Sequence, residues 1–240
     1  MKKIVSLLVI SIFILIYSCT ENNPNSPFYD PPPPVEWSDY FPLKVGAYWI
    51  YENYDTDSNY VRLNNSPTYD TILVDKIMTV EGKECFKVLT KPGTIDCYYY
   101  GEDSKLFQLQ SAILYSARKW MLYNDFNNYK DTIIEDWKYR ETTSNPFKGY
   151  QAWNKNYRIK DTVLNFNDNN YNAMGFYHYF SSNFWSEYFY NHRGRIILAY
   201  YIKDIGLGYS RTEYITNDVD LGGFYSNYAE KILIKYYIPK

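Results

Sequence analysis

The sequence predicts a mainly β protein: one antiparallel, curved sheet of half-barrel or barrel-like form, with at most one or two short helices. Three observations predict it. Short runs of alternating polar and apolar residues recur between glycine, asparagine and proline punctuation, the pattern of strands with one buried face. Thirty tyrosines, 13 phenylalanines and 6 tryptophans make 20% of the chain aromatic, and aromatic rings pack well on a pleated surface. Turn-forming residues also fall where hairpins need them, as at Glu81-Gly82-Lys83.

The chain opens with Lys2 and Lys3, followed by an apolar run from Ile4 to Tyr17 broken only by Ser6 and Ser11. That length suits a signal-peptide core and is short for a membrane span. Residues 1–18 are therefore expected to be a signal peptide. Ile16-Tyr17-Ser18-Cys19 resembles the lipobox of bacterial lipoproteins. The resemblance implies a diacylglycerol on the Cys19 thiol, cleavage before Cys19, and acylation of the new amino group by a chain such as palmitate. Several acyl chains, each buried methylene contributing roughly 0.8 kcal/mol, make a stable anchor. Thr20 replaces the aspartate that would resemble an inner-membrane retention signal, so the expected address in a Gram-negative cell is the outer membrane.

Residues 19–35 read as a tether. Pro24, Pro27 and Pro31 to Pro34 lie among asparagines and one serine, and consecutive prolines favour an extended polyproline II spacer of about 3.1 Å per residue. Residues 36–240 then form a single β-rich domain. Without Lys2 and Lys3 the mature chain has 23 basic and 27 acidic side chains, a formal charge of −4. No basic stripe marks a nucleic-acid partner.

The domain begins with Tyr40-Phe41-Pro42-Leu43-Lys44-Val45-Gly46-Ala47-Tyr48-Trp49-Ile50-Tyr51. This stretch resembles the opening of a loose group of exported Bacteroidota proteins with a Phe-Pro-Leu, glycine, Trp-x-Tyr pattern. Asp204-Ile205-Gly206-Leu207-Gly208-Tyr209 looks like the glycine-containing stretch that such proteins carry near their last strands. The resemblance implies an antiparallel, curved sheet and brings no activity. Physically, Phe41, Leu43, Trp49 and Tyr51 read as packing residues, while Gly206 and Gly208 permit a bend before a strand.

TILVDKIMTV and ECFKVLTK read as a hairpin about Gly82. Lys91-Pro92-Gly93-Thr94 fits a type II turn into the strand from Ile95 to Tyr100. Gly101 to Ser104 then turns the chain into KLFQLQ. Ser111 to Asn124 and Ser182 to Gly194 each fit either a helix or strands. IIEDWKYR, RIILAYYIKD and KILIKYYI alternate as strands, the last with Ile232, Ile234, Tyr236 and Ile238 on one face.

Two cysteines remain beyond Cys19, and an exported chain with two favours a disulfide between Cys85 and Cys97. A three-residue loop centred on Lys91 would place them opposite each other. A two-residue loop at Pro92-Gly93 would place Cys85 opposite Tyr100 and disfavour the bond. Asp70-Thr71-Ile72, Asp131-Thr132-Ile133 and Asp161-Thr162-Val163 each open an apolar run. They read as strand entry, and they also resemble the O-glycosylation sequon of Bacteroidota, which would make Thr71, Thr132 and Thr162 acceptors.

Chemistry-bearing motifs are absent. His178 and His192 are the only histidines; the first reads as a sheet residue and the second as a turn residue. The sequence has no HExxH, no paired CxxC and no GxSxG. The pair Gly206 and Gly208 lacks the third glycine of a dinucleotide site. Acidic pairs such as Glu135-Asp136 serve glycoside hydrolysis only if folding sets a partner about 5 to 10 Å away. No enzyme, no metal and no cofactor is therefore expected.

The expected function is non-catalytic binding or envelope support by a lipid-anchored protein, its partners the membrane and a glycan or envelope protein. The segment from Tyr171 to Tyr190 holds too many rings for one buried face, so Tyr177, Tyr179, Trp185, Tyr188 and Tyr190 are candidates for an aromatic binding surface. The alternative is a periplasmic carrier or chaperone for an acyl chain or lipoprotein, which needs an uncovered apolar concave face. A hydrolase ranks last.

Overall fold

The computed structural model describes residues 34–91, 95–112, 117–127, 133–141, 148–185, 190–218 and 223–240. Residues 1–33, with the expected signal peptide, Cys19 and nearly all of the expected tether, lie outside them. A four-residue helix, α1 (Trp37–Tyr40), precedes thirteen strands. The first six are β1 (Tyr48–Thr56), β2 (Thr68–Val80), β3 (Lys83–Lys91), β4 (Ile95–Glu102), β5 (Lys105–Ala112) and β6 (Ala117–Asp125). They are followed by β7 (Ile133–Glu141), β8 (Lys148–Arg158), β9 (Thr162–Phe166) and β10 (Asn169–Trp185). The last are β11 (Tyr190–Ile202), β12 (Gly206–Asp218) and β13 (Gly223–Tyr237).

All pairings are antiparallel, and one sheet runs β6-β5-β4-β3-β2-β1-β13-β12-β11-β10-β8-β7, with β9 paired to β10. The last strand lies beside the first, so the chain forms two meanders that spread from the β1–β13 pair. Four register shifts, at Asp75, Tyr123, Gly208 and Ile234, each place one extra residue in a strand. Such bulges bend and twist a sheet, and this one curls until its two ends meet.

The closure is nearly that of a barrel, without a backbone ladder at the seam among the described residues. Asn154 and Asn156 on β8 donate their side-chain amides to the carbonyls of Leu122 and Tyr123 on β6. Met121 of β6 packs with Tyr150, Ala152, Trp137 and Phe180. Side chains thus cover polar groups that an edge strand otherwise leaves open.

The described parts of both stretches that fit helix or strand are strands. Ser111 pairs with Arg118 and Ser182 with Arg193. Each lies in a hairpin whose partner supplies the backbone hydrogen bonds that a helix would have made internally. The β13 bulge also corrects the expected face. Ile50 pairs with Lys235 and Tyr51 with Leu233, so Leu233 is a buried core residue and Ile234 is the extra one.

The hairpin about Gly82 forms as expected. Glu81 and Gly82 take φ of 48° and 74° between the paired Val80 and Lys83, the two-residue turn that matches strand twist. Gly206 has φ of 109° at the bend into β12, a conformation that suits glycine.

Alternating strand direction sorts the connections to two ends of the sheet. One end is sealed. There the Trp37 N–H donates to the carbonyl of Asp103 at 2.9 Å, and the Asp204 N–H donates to that of Asp39 at 2.6 Å. The Trp37 indole lies flat on Gly101, where any Cβ would overlap the ring. Tyr40 stacks on Phe126, and Phe41 reaches among Tyr99, Tyr123 and Tyr201. Trp49 Nε1 donates to the Ile205 carbonyl at 2.5 Å, and Tyr51 Oη to that of Leu207 at 3.0 Å. Leu43, Trp49 and Tyr51 are buried and Phe41 packs against them. Strands β3, β5, β7, β10 and β12 run out to the opposite end.

Candidate functional site

Strand alternation decides what faces the interior. On β10 the inward series is Met174, Phe176, His178, Phe180 and Ser182; on β11 it is Arg193, Arg195, Ile197, Ala199 and Tyr201. Toward the sealed end these residues join the aromatic core. Toward the other end the interior turns polar.

His178 marks the change. Its ring stacks on Tyr123 with centroids 5.2 Å apart and planes 20° apart. It is 4% exposed, and neither ring nitrogen makes a hydrogen bond of normal geometry. Burial, and after it the Arg195 guanidinium, pushes the imidazole pKa down to about 3, against a small opposing effect of the Tyr123 backbone. The ring is neutral at any ordinary pH. Arg195, Gln108, Gln110, Asn154 and Phe180 surround a narrow gap beside it.

Beyond the gap a cavity of about 510 Å³ opens. Two cross-strand rows form much of its wall: Phe180, Arg195 and Tyr214, then Ser182, Arg193 and Thr216. Tyr150 lines it from β8, its hydroxyl held by Ser182 and its pKa raised to about 12, chiefly by burial. The Nε of Arg195 is buried and has no hydrogen-bond partner. Among the described residues, no carboxylate forms an ion pair with Arg193 or Arg195. A neighbouring hollow of about 700 Å³ shares Tyr214 and is bordered by Asp55, Ser226 and Asn227.

The candidate aromatic surface is described only in part. Tyr177 and Tyr179 lie on the outer face of β10, half-buried, with Tyr157 stacked on Tyr177 at 4.7 Å. Trp185 and Tyr190 pair through their backbones at the β10–β11 end; their side chains, and all of Tyr188, lie outside the described residues. Further round the outer face, tyrosines join a charged network. Glu230 accepts from Arg62 at 2.8 Å and from Tyr209 at 2.6 Å, and Arg211 Nε donates to Tyr209 at 2.6 Å. Arg62 lies over Tyr54 and Arg211 over Tyr60. Burial and the Glu230 bond lift the Tyr209 pKa to about 12. These rings pave and fasten the sheet.

The Cys85–Cys97 disulfide is not formed, and both thiols are free. Phe86 pairs with Tyr99 and Val88 with Cys97, the register of the shorter loop at Pro92-Gly93. Cys97 therefore shares a face with Val88 and lies against the core, whereas Cys85 points to the other side of the sheet, where its thiol meets the Met78 carbonyl at 3.3 Å. Residues 92–94 themselves lie outside the described residues.

His192 lies on β11 opposite Asn183, not in a turn. Its side chain lies outside the described residues. Thr71 lies within β2, between Ile50 and Lys91, and Thr162 opens β9. Thr132 lies outside the described residues. Asp70 pairs with Lys231 at 2.9 Å and Asp161 with Arg158 at 2.7 Å.

Sequence reasoning missed Arg193, Arg195 and Tyr214. A signal was present: Arg193-Gly194-Arg195 puts two cations on one face if the stretch is a strand. Reading it as a turn hid that.

No family model and no curated protein matches the chain. Among solved structures, a proposed lipoprotein from Parabacteroides distasonis superposes with a TM-score of 0.46 at 13% identity, covering 83% of this chain and 99% of that one. A proposed exported protein with a YmcC-like fold from Bacteroides fragilis gives 0.35 at 12% identity, with the same coverage. At these values neither likeness carries fold or function across.

Proposed function

We propose that the chain is an exported lipoprotein, anchored through Cys19 at the bacterial outer membrane, whose β-domain is a non-catalytic receptor for a small molecule. The anchor rests on the lipobox and the tether. The receptor reading rests on one observation: away from the sealed end, the described residues enclose a cavity of about 510 Å³ walled by Tyr150, Phe180 and Tyr214. Ligand sites are typically concave, roughly 300–1,000 Å³, and combine aromatic walls with a few polar groups.

The acyl-carrier alternative is disfavoured. It needs an open apolar concave face, and the described interior is packed with aromatic side chains at one end and polar at the other. Receptor function is tested by thermal unfolding of the full-length lipoprotein in neutral detergent against small aromatics, sugars and carboxylates. A ligand should raise the midpoint, and Tyr214→Ala, an exposed position, should abolish the rise. No shift with any class refutes the reading. Protease shaving of intact cells separates the surface face from the periplasmic one.

A further inference from the structure

Resting on the receptor reading, we infer that the cavity selects anions: its ligand is a small carboxylate with a flat apolar body, the carboxylate held by Arg195 with Arg193.

The inference starts from charge. A cation withdrawn from water costs free energy unless it is paired, and proteins rarely leave a buried guanidinium edge without an acceptor. Arg195 does so: its Nε is buried and unpartnered. Among the described residues, its neighbours offer no compensating anion. Gln108, Gln110 and Asn154 are neutral amides, and His178 is a neutral imidazole. The Arg195 charge also bears on His178 and on the Cys97 thiol, opposing protonation of the first and favouring ionisation of the second. Its field therefore reaches into the interior, with no described carboxylate to pair it.

Geometry adds a second cation. Arg193 and Arg195 lie two residues apart on one strand, with backbones about 6.8 Å apart at the usual rise. Both line the same cavity. A guanidinium presents a planar fork that fits a carboxylate through two parallel bonds. Ser182 and Thr216, paired on either side of Arg193, add hydroxyls beside it. Phe180 and Tyr214 flank Arg195 in its own row, so a ligand whose carboxylate meets Arg195 lays its body against rings. The lining thus favours an aromatic or alicyclic carboxylate over a sugar or a cation.

The test is calorimetric titration of the full-length lipoprotein in a neutral detergent, with empty-micelle heats subtracted. The probes are 2-naphthoate and its neutral isostere 2-naphthamide, at neutral pH and low salt. Naphthoate should bind about tenfold tighter or more, the discrimination expected of a charge-assisted pair. Arg195→Gln should bring naphthoate down to the naphthamide level, and Arg193→Gln should remove part of the preference. Should Arg195→Gln fail to fold, salt serves on the wild type: high ionic strength should weaken naphthoate severalfold and leave naphthamide unchanged. Equal binding of the two probes, or a preference that survives both Arg195→Gln and high salt, overturns anion selection and leaves the receptor reading standing. Failure of both probes overturns anion selection, and the wider ligand set above then judges the receptor reading separately.

Discussion

Acid should loosen this fold through His178, and the size of the effect follows from its surroundings. The unfolded imidazole titrates at 6.5 and the folded one at about 3. Because the folded value is the lower, the unfolded chain binds the extra proton between the two. The contribution is whole above pH 6.5 and is lost as pH falls toward 3, by about 1.4 kcal/mol per pH unit. Between pH 7 and pH 5 the loss is about 2 kcal/mol. His178→Phe removes the titration and keeps a ring to stack on Tyr123, 5.2 Å away in the wild type. Urea unfolding of both proteins, followed by tryptophan fluorescence at pH 7 and pH 5, gives the comparison. Carboxylates and His192 are common to both and cancel in the difference. The wild type should lose about 2 kcal/mol more than the variant. Parallel losses would mean that His178 titrates normally, and that the buried, cation-facing environment assigned to it is wrong.

Three further outcomes are expected. Gly101→Ala should dislodge Trp37, whose indole occupies the space of the new methyl, costing about 1–3 kcal/mol and shifting tryptophan emission to the red; an unchanged spectrum would contradict the sealed end. Asn154→Leu should leave the Leu122 carbonyl without its amide donor, lowering stability by about 1–3 kcal/mol and speeding amide exchange on β6; unaltered exchange there would argue against a side-chain seam. Alkylation of denatured protein without reductant should label both Cys85 and Cys97, and protection of the pair would restore the disulfide that the register denies.

How much of this was legible in the sequence depended on whether local pattern or register decided the outcome. Strand identity is local: alternation in RIILAYYIKD and turn residues at Glu81-Gly82 specify it, and Trp49 and Tyr51 are recognisable as packing residues. Face is not local, because one extra residue reverses it. Ile234 is such a residue: before it the core position is Leu233, whereas Tyr236 and Ile238 after it pack against the core as their shared face predicts. Loop length has the same power. The position of Cys97 opposite Val88 rather than Cys85 follows from a single register choice about Pro92-Gly93, which the sequence left open. The site needed both kinds of information. Arg193 and Arg195 are plain in the text, yet they become a pair facing His178 and Gln108 only when Ser182 to Gly194 is strand, β10 and β11 take their register, and the curl of the sheet brings β5 and β8 across the interior. A cluster made by closure has no motif, since each partner comes from a different strand. Composition could announce thirty tyrosines, but only the curvature separates rings that pave the outer sheet, such as Tyr177, from those that wall a cavity, such as Tyr214.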